Sequence, residues 1–446
     1  MILEKIYNSA PIRLQNVMCS VKGWLVCRRR YNKDFFAQLD LFENHKVDPD
    51  EELHNFFSLV EHVPAYKEVF KTGKKVSLND FPIINKQYVK DHYEEFLNRN
   101  YAGPTITVHT SGTTGNSLEV IQSCRFEHKQ WAVWWRYREE LGIKFGTWYG
   151  WFGCGEMIVP IKQDKPPFWR VDLAGRRIMF GTYHLNIGNV EIYAEEIARR
   201  RLRWLHGNAS RIYYLSRLIV EKRLSPVECV EFVTTASENL PTYCARVIQR
   251  AFPRALVRNH YGQTEGVANF SQMRNGEWRI DEDFAKVELI PITPSDPSRC
   301  RIVGTNFSNP VLPLIRYDMG DIALVRWENG KPHILGIEGR ENEQILLKNG
   351  MLVNSMFNYD IFGDAHNVRE AQVRVINGEE VELLVVRALQ YDIEDEKAIL
   401  GLARKYLKDD IKLSICYTER IPRAASGKFR AVVKTDAPFA LSNTNK

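Results

Sequence analysis

Hydroxyl side chains and glycines are concentrated in residues 109–117, which read His-Thr-Ser-Gly-Thr-Thr-Gly-Asn-Ser. Alternating apolar residues precede this stretch at 105–108 and follow it at 118–122, a pattern typical of two short strands joined by a flexible loop. Glycines let a backbone approach a ligand closely, and free N–H groups beside hydroxyls suit phosphate oxygens. No Gly-Lys-Ser or Gly-Lys-Thr closes the loop, so it is not a Walker A motif. The stretch predicts a phosphate-binding loop, with an ordinary exposed hairpin turn as the alternative.

A second candidate site follows a predicted strand at 256–260, where residues 261–265 read Tyr-Gly-Gln-Thr-Glu. An aromatic ring, a glycine and a carboxylate at a strand end suit a nucleotide site at the carboxyl edge of a parallel sheet. The carboxylate of Glu265 could hold Mg²⁺, which prefers oxygen ligands and keeps several of its waters. The alternative is a strand end without a ligand.

Two glycine-containing segments follow. Residues 316–321 end in Gly-Asp, and a carboxylate placed after a glycine can accept hydrogen bonds from both hydroxyls of a ribose. Gly339 and Arg340 precede an apolar stretch interrupted by Asn349-Gly350, which is a strong hairpin signal. Each segment taken singly is also compatible with a plain turn.

The last candidate lies near the C-terminus, where residues 422–428 read Pro-Arg-Ala-Ala-Ser-Gly-Lys. This pattern places Lys428 on a loop of small residues, from which an ammonium group could reach an anionic centre. A solvated surface loop is the alternative for this segment taken alone.

In this order, the segments resemble the motifs of the adenylate-forming superfamily, which includes acyl-CoA synthetases, firefly luciferase and the adenylation domains of peptide synthetases. Five ordered matches between residues 110 and 428 make the resemblance specific. Ala236-Ser237-Glu238 resembles the adenine-contacting segment of the phenylacetate–CoA ligase branch. Residues 10–31 are similar to the CapK-type capsular polysaccharide proteins of that branch, so the likeness covers nearly the whole chain.

The resemblance implies a role for each matched residue. The phosphates of ATP are expected to contact Thr110, Ser111, Gly112, Thr113, Thr114 and Gly115. The adenosine is expected to contact Ser237, Glu238, Tyr261, Gly262, Gln263, Asp321 and Arg340. The catalytic set comprises Lys428, Glu265 and Thr264, with Glu265 as the metal ligand and Asn342 at the hinge.

Two positions depart from the pattern of the superfamily. Its phosphate loop often continues Gly-x-Pro-Lys, whereas this chain continues Gly115-Asn116-Ser117 and lacks a loop lysine. The usual hinge residue is Asp or Lys, whereas this chain has Asn342. We therefore expect backbone groups and hydroxyls to do more at the phosphates, and the hinge to be uncharged.

The resemblance also implies the reaction. A carboxylic acid would be activated by ATP and Mg²⁺ as an acyl-adenylate, and the acyl group would then pass to the thiol of CoA. An amine, amino sugar, amino acid or carrier protein is the alternative acceptor, and a non-catalytic nucleotide-binding scaffold is the alternative of another class. For the acid itself, the candidate pocket residues are aromatic: Trp148, Tyr149, Trp151, Phe152 and His184.

Strands alternate with helices from 105 to 335, which predicts an α/β fold with a wound, mostly parallel sheet. Residues 1–100 are predicted to be mainly helical, with helices at 51–70 and 85–97, and the three prolines of 291–298 predict a connector. The chain changes character near Gly339. We predict a large N-terminal domain of residues 1–338 and a small, mobile α+β lid of residues 339–446.

Composition narrows the remaining choices. The chain has 446 residues, 44% of them hydrophobic and 26% charged, and a net charge of +6, which suits anionic substrates such as ATP and does not require nucleic acid. No apolar run reaches the ~18 residues of a membrane span, and basic residues interrupt any signal-peptide core, so a cytoplasmic protein is expected. Its eight cysteines have no zinc-site spacing.

Residues 28–30, all arginine, predict a solvated helix end, with weak contact to an anionic membrane as the alternative. The oligomeric state stays open, with a dimer possible.

Overall fold

The computed structural model describes residues 2–71, 75–110, 117–153, 158–340, 345–348, 352–353, 358, 361–362, 365, 367–407, 410–423 and 429–439. Within these ranges, no helix combines the length and the apolar character that crossing a bilayer requires.

Helices dominate the N-terminal part of the chain, as the sequence predicts. They are α1 (Ile2–Ser9), α2 (Ile12–Arg30), α3 (Lys33–Glu43), α4 (Pro49–Val60), α5 (Lys67–Phe70), α6 (Lys86–Asp91) and α7 (Tyr93–Phe96). The single helix predicted at 51–70 is wrong, because Pro64 lacks an N–H group and starts a separate 3₁₀ turn, Pro64–Tyr66. The helix predicted at 85–97 is likewise divided, with His92 between its two halves.

The two strands predicted around the hydroxyl-rich loop are present. After β1 (Ile84–Asn85), strands β2 (Thr105–His109) and β3 (Glu119–Ser123) pair antiparallel, and α8 (Cys124–Leu141) begins directly after them. Ser123 caps α8 by accepting the N–H of Phe126 at 3.0 Å. Helix α8 therefore begins at the Thr105–Ser123 end of the hairpin, opposite the His109–Glu119 end.

The central sheet of the described chain has the strand order β11-β10-β9-β8-β7-β4-β6-β5. Its strands are β4 (Tyr149–Phe152), β5 (Trp169–Asp172), β6 (Arg177–Phe180), β7 (Trp204–Asn208), β8 (Phe232–Ala236), β9 (Leu256–Gly262), β10 (Asn269–Gln272) and β11 (Trp278–Ile280). The connecting helices are α9 (Val190–Arg199), α10 (Ala209–Glu221) and α11 (Thr242–Ala251). Neighbours from β6 through β4, β7 and β8 to β9 pair in parallel, which confirms the predicted wound sheet.

A second sheet is mostly antiparallel. It comprises β12 (Lys286–Thr293), β13 (Asp296–Thr305), β14 (Tyr317–Glu328) and β15 (Lys331–Arg340), with β1 parallel to β14. The connector predicted at 291–298 is wrong, because Pro291 pairs with Cys300 and Thr293 with Asp296 across a hairpin. Prolines are tolerated here because the hairpin contains a register shift between Pro291 and Thr293.

Residues after β15 build a sheet and core of their own. The elements are β16 (Ile345–Leu346), β17 (Leu352–Val353), β18 (Val368–Ile376), β19 (Glu380–Arg387), α12 (Ile393–Tyr406), β20 (Lys412–Tyr417) and β21 (Val432–Thr435). These strands and the helix agree with the α+β character that the sequence predicts for this region. Strands β16 and β17 pair antiparallel on either side of the predicted Asn349-Gly350 turn, which itself lies outside the described residues. Val373, Leu383 and Ala403 pack into one buried cluster.

The arginines that end α2 have a structural role rather than the predicted solvated one. Glu127, buried on α8, accepts from Arg29 Nε at 2.8 Å and from Arg30 Nε at 2.8 Å. The Arg30 guanidinium also lies 4.2 Å from the ring centre of Trp131. These contacts lower the pKa of Glu127 against the opposing effect of burial, so α2 is fixed to α8 by its last turn.

Candidate functional site

The carboxyl ends of β7, β8 and β9 converge at one edge of the central sheet and form the floor of a cleft of about 290 Å³. Its opposite wall comes from the C-terminal unit, so the cleft lies between the two parts of the chain. The lining includes Thr110, Ser210, Tyr213, Ser237, Glu238, Asn259, His260, Tyr261, Gly262, Gln263, Thr264, Glu265, Asp321, Gly339, Arg369, Glu370 and Phe429. Ligands of open α/β sheets bind at such an edge.

The Tyr-Gly and Gly-Asp motifs meet in this cleft. Tyr261 donates its O–H to Asp321 Oδ2 at 2.6 Å, and Gln263 Nε2 donates to the same phenol oxygen. Gly320 has a φ of +71°, a left-handed conformation that favours glycine and turns the chain so that Asp321 follows on the cleft. Asp321 is also the cross-strand partner of Arg340, so the two predicted ribose contacts are adjacent on the sheet.

Glu265 occupies the cleft wall with only 9% of its surface exposed. Tyr317 donates to its carboxylate at 3.4 Å, and Asn306 Nδ2 holds its backbone oxygen at 2.7 Å. Within the described ranges, no three acidic, histidine or cysteine side chains converge as a metal site. Glu265 is a single buried carboxylate on the cleft wall, and carboxylate oxygen is the type of ligand that Mg²⁺ prefers.

Thr110 forms the base of the hydroxyl-rich loop. Its N–H donates to Leu118 O at 2.9 Å, and its hydroxyl accepts the N–H of Leu118 at 2.8 Å. Lys86, the first residue of α6, donates from Nζ to the same hydroxyl at 2.9 Å. Ser111, Gly112, Thr113, Thr114 and Gly115 lie outside the described residues. A lysine from another element thus stands at the loop that lacks its own.

The segment after β8 has the strained backbone that marks many ligand sites. Ser237 has a φ of +66°, which a non-glycine residue rarely adopts. The next residue, Glu238, accepts the N–H of Ser210 in the first turn of α10 at 2.8 Å, where a negative charge is favoured. Its second carboxylate oxygen accepts the N–H of Phe429 at 3.4 Å, from the other wall of the cleft.

Further contacts join the two walls. Glu221 accepts both Nε and Nη2 of Arg369, at 2.7 and 2.6 Å, and the two side chains are 5% and 16% exposed. The N–H of Leu389 donates to the same carboxylate at 2.9 Å, and Arg217 donates to Val368 O at 2.5 Å. The end of α10 is therefore bonded to the C-terminal sheet at several points.

Lys428, the predicted catalytic lysine, and Asn342, the predicted hinge residue, lie outside the described residues. The described residues on either side of the lysine segment are Arg423, which pairs with Glu370, and Phe429, which lines the cleft. Gly339, which precedes the hinge position, has a φ of +97° and also lines the cleft.

His260 is a buried histidine that lines the cleft. Burial lowers the pKa of His260 to about 4, and the nearby charge of Asp281 only partly opposes this effect. Its Nε2 and Trp134 Nε1 both contact Asn269 Oδ1, at 2.8 and 2.9 Å. Burial likewise lowers the pKa of His206 to about 3. At neutral pH both rings are therefore uncharged.

The five aromatic residues predicted to bind the acid do not line the described cleft. Phe152 is fully buried and stacks on Phe180 with ring centres 4.6 Å apart, whereas Tyr149 packs on Trp204 at 4.4 Å. The other three have contacts elsewhere: Trp148 is 37% exposed, Trp151 lies 5.7 Å from the Arg177 guanidinium, and His184 stacks on Phe168 at 5.2 Å. Tyr149 and Phe152 are thus packed against other rings, and a role of the five residues in binding the acid stays a prediction.

Several cleft residues have no motif that would have marked them in the sequence. They are Ser210, Tyr213, Asn239, Tyr243, Cys244, Asn259, His260, Arg369, Glu370 and Phe429. Lys86, which contacts the cleft residue Thr110, also has no such motif. Ser210 was detectable only as the start of a helix after a parallel strand. Lys86 is 24 residues from Thr110 and follows a two-residue strand, which gives no local signal.

Comparison with known proteins agrees with this arrangement. No family model matches the chain. Protein CapK of Staphylococcus aureus is 25% identical over 475 aligned positions, which cover 99% of this chain and 100% of CapK. Two crystal structures of 2-hydroxyisobutyryl-CoA ligase in the postadenylation state, with 2-HIB-AMP and with R3-HIB-AMP, match with TM-scores of 0.63 and 0.61 at 15% and 14% identity. Each match covers 86% of this chain and 88% of the ligase. The resemblance seen in the sequence is thus confirmed: the chain has the fold of the adenylate-forming ligases and is a relative of CapK over nearly its full length.

Proposed function

We propose that the protein activates a small carboxylic acid with ATP as an acyl-adenylate and then transfers the acyl group to an acceptor. The observation that carries this proposal is the composition of the cleft. One wall holds the Tyr261–Asp321 pair and Glu265, and the other holds Arg369 and Phe429. A nucleotide bound at the sheet edge would therefore be covered by the part of the chain that carries the predicted catalytic lysine.

The described side chains can each contact one part of ATP. Asp321, oriented by Tyr261, is placed to accept hydrogen bonds from the ribose hydroxyls. Arg340, its cross-strand partner, is the second residue that we assign to the ribose. The strained Ser237 segment offers backbone groups for the adenine. Lys86 and Thr110 supply a cation and a hydroxyl on the phosphate side, where the triphosphate charge must be balanced.

Mg²⁺ is the metal expected with ATP, and Glu265 is the residue that would hold it. When bound, the ion would neutralise charge on the phosphates as the carboxylate of the acid approaches. The hydrogen bonds that fix the Glu265 backbone and carboxylate keep this ligand in place without the ion.

The first half-reaction joins a carboxylate oxygen of the acid to the α-phosphorus of ATP while the bond to pyrophosphate breaks. Both reactants are anionic, so a positive group must stand where negative charge develops. We assign this role to Lys428. Its support is that Phe429, the next residue along the chain, lines the cleft and bonds to Glu238.

In the second half-reaction the acceptor attacks the acyl carbon, AMP leaves, and the proton of the acceptor is released. CoA is the proposed acceptor, since its thiol gives the thioester that the structurally similar 2-hydroxyisobutyryl-CoA ligase is named for. An amine, an amino sugar, an amino acid or a carrier protein is the alternative. The acceptor sets what the enzyme makes, whereas the adenylation site is common to all of them. A cytoplasmic location, where ATP and CoA are available, is part of this proposal.

The test is pyrophosphate release with ATP and Mg²⁺ across aryl, short-chain, hydroxy and amino acids. Release with one class of acid is expected, and Lys428→Ala should reduce it about 10²–10³-fold, the range for removal of one group that stabilises transition-state charge. Lys434→Ala is the matched control, since this exposed lysine of β21 belongs to the same unit and should leave release unchanged.

A second assay separates the half-reactions. Supplied acyl-AMP should still react with CoA in Lys428→Ala, because the lysine is assigned to the first step alone. Equal loss of both steps would contradict the assignment. ATP binding without pyrophosphate release from any acid would instead favour a non-catalytic nucleotide-binding scaffold.

A further inference from the structure

Helix α2 has an unusual distribution of side chains, with polar groups facing the protein. Asn16 Oδ1 accepts the N–H of Val171 at 2.9 Å, and Ser20 Oγ accepts the N–H of Leu173 at 3.1 Å. Both backbone groups belong to β5 or the residue after it, at the edge of the central sheet. Gly23 is so close that a Cβ would lie 2.0 Å from Asp172 Oδ1. The polar side of α2 therefore covers a sheet edge that would otherwise be open.

The opposite side of the same helix is apolar and faces solvent. We define the outward face of α2 as five residues whose exposed fractions are 49% to 58%: Leu14, Val17, Val21, Trp24 and Leu25. Leu173, 65% exposed, extends it, and a groove lined by Val17, Val21, Trp24 and Leu173 joins the two. A helix with its polar side inward and its apolar side outward exposes to water the side chains that a surface helix usually buries. Contiguous exposed apolar surface of this kind marks an interaction site.

The charge around this face has one sign. Residues 5–33 contain seven lysines and arginines and no aspartate or glutamate before Asp34. Arg13 and Lys22 are exposed at the two borders of the outward face, and Arg28 is exposed at its C-terminal end. The Arg28 guanidinium lies 5.4 Å from the ring centre of Trp24. Exposed tryptophan and leucine between basic residues are the features of helices that lie in a membrane interface.

We propose that the outward face of α2 binds the surface of a bilayer that contains anionic phospholipid. Its apolar side chains would enter the boundary between headgroups and acyl chains, and Arg13, Lys22 and Arg28 would contact the lipid phosphates. This assignment differs from the membrane contact considered from the sequence, because Arg29 and Arg30 are bound to Glu127. It does not depend on the proposed enzymatic function.

A second copy of the chain is the competing occupant, and charge disfavours it. A two-fold interface brings the same patch of both copies together, so the basic borders would face each other. The helix offers no carboxylate to pair with them. An anionic bilayer instead neutralises all three positions at once.

The test is co-sedimentation of the full-length protein with vesicles of phosphatidylcholine alone or of phosphatidylcholine mixed with phosphatidylglycerol. Binding is expected only to the mixed vesicles and should weaken as salt is added. Val21→Ser combined with Trp24→Ser should weaken partitioning by at least about tenfold, since two large apolar side chains are removed. Lys22→Gln, which leaves the apolar side chains intact, should weaken it about fivefold.

Leu335→Ser and Lys331→Gln are the matched controls, because both residues are exposed on β15, away from α2. Neither should change partitioning. Equal binding of the protein and its α2 variants, or no binding to mixed vesicles, would overturn the proposal. So would a dimer in analytical ultracentrifugation that Val21→Ser dissociates, since a second copy would then be the occupant.

Discussion

Tyr261 donates a 2.6 Å hydrogen bond to the carboxylate of Asp321, 60 residues away in the sequence. This bond joins the end of a strand in the central sheet to a strand of the second sheet. Because the acceptor is charged, it belongs to the stronger class of hydrogen bonds. It fixes the orientation of the carboxylate that we assign to the ribose, so the two motifs act as one binding element.

We expect Tyr261→Phe to raise the KM for ATP about tenfold while kcat changes less. The variant keeps the ring but removes one donor to Asp321, and such a hydrogen bond is worth about 1.5–3 kcal/mol when one partner is charged. Pyrophosphate exchange measured over a range of ATP concentrations checks this expectation. Tyr66→Phe is the control, since it also removes a buried O–H, here bonded to Pro313 O at 2.9 Å, outside the cleft. A similar KM shift in both variants would mean that the effect is general destabilisation.

Glu221 and Arg369 form a bidentate ion pair between α10 and the C-terminal sheet. We expect Glu221→Gln to slow adenylation about tenfold or more, because the partly buried guanidinium of Arg369 loses its counter-ion between α10 and the C-terminal sheet. Transfer from supplied acyl-AMP should change less, since we propose that the mobile unit predicted after residue 338 rotates away from α10 for that step. Single-turnover assays of each half-reaction measure both rates.

The control for that pair lies beside the central sheet. Glu231 accepts from Arg203 at 2.7 and 2.5 Å, so its geometry is also bidentate, but the arginine is 61% exposed and the two residues precede the neighbouring strands β7 and β8. Glu231→Gln should leave both half-reactions unchanged. Equal slowing of the two half-reactions by Glu221→Gln would contradict the role of the pair in closure.

Lys86 is expected to replace the lysine that the hydroxyl-rich loop lacks. Lys86→Gln should raise the KM for ATP about tenfold and leave the affinity for AMP almost unchanged, because AMP has no β- or γ-phosphate. Competition of AMP and ATP for a fluorescent nucleotide analogue distinguishes the two effects. Lys90→Gln, on the same helix, is the matched control. An equal loss for both nucleotides would contradict a contact with the outer phosphates.

Sequence patterns predicted the helices and strands that depend mainly on neighbouring residues. The two strands that flank residues 109–117 are present as predicted, because the alternation of apolar residues that marks them is local. The predictions are wrong where a partner distant in the sequence determines the local structure. The prolines near 291 indicated a connector, yet pairing with β13 forms a strand there. The burial of Glu127 against Arg29 and Arg30 likewise depends on tertiary packing, and no neighbouring residue indicates it.

For the cleft, the motifs located one wall and missed the other. Tyr261, Glu265 and Asp321 carry recognisable neighbours because strand ends and glycine turns have local signatures. Arg369 lines the cleft because the C-terminal sheet packs against α10. Lys86 contacts Thr110 because it follows the short strand β1. Neither arrangement leaves a pattern in adjacent residues. Among the aromatic residues near 150, Tyr149 and Phe152 pack against Trp204 and Phe180, a tertiary contact that the sequence does not indicate.

The buried, neutral His260 predicts how stability depends on pH. Burial lowers its pKa to about 4 in the folded protein, whereas an imidazole in the unfolded chain titrates near 6.5. Between these values the unfolded state binds more protons, so the free energy of unfolding falls as pH falls through this window. The stabilisation is fully present above pH 6.5 and decreases towards pH 4, by about 3 kcal/mol for this one group.

His260→Gln should therefore reduce the pH dependence of unfolding by about 1.4 kcal/mol per pH unit within this window. Gln keeps a donor for Asn269 and cannot take up a proton, so the difference isolates the titration from the hydrogen bond. Urea unfolding of the protein and the variant at several pH values gives both slopes, with His54→Gln as a control for loss of an exposed imidazole. Part of the slope should persist in the variant, because His206 also has a lowered pKa, about 3, at a separate buried position. An unchanged slope would mean that His260 is protonated in the folded protein, and the cleft would then have a charged floor.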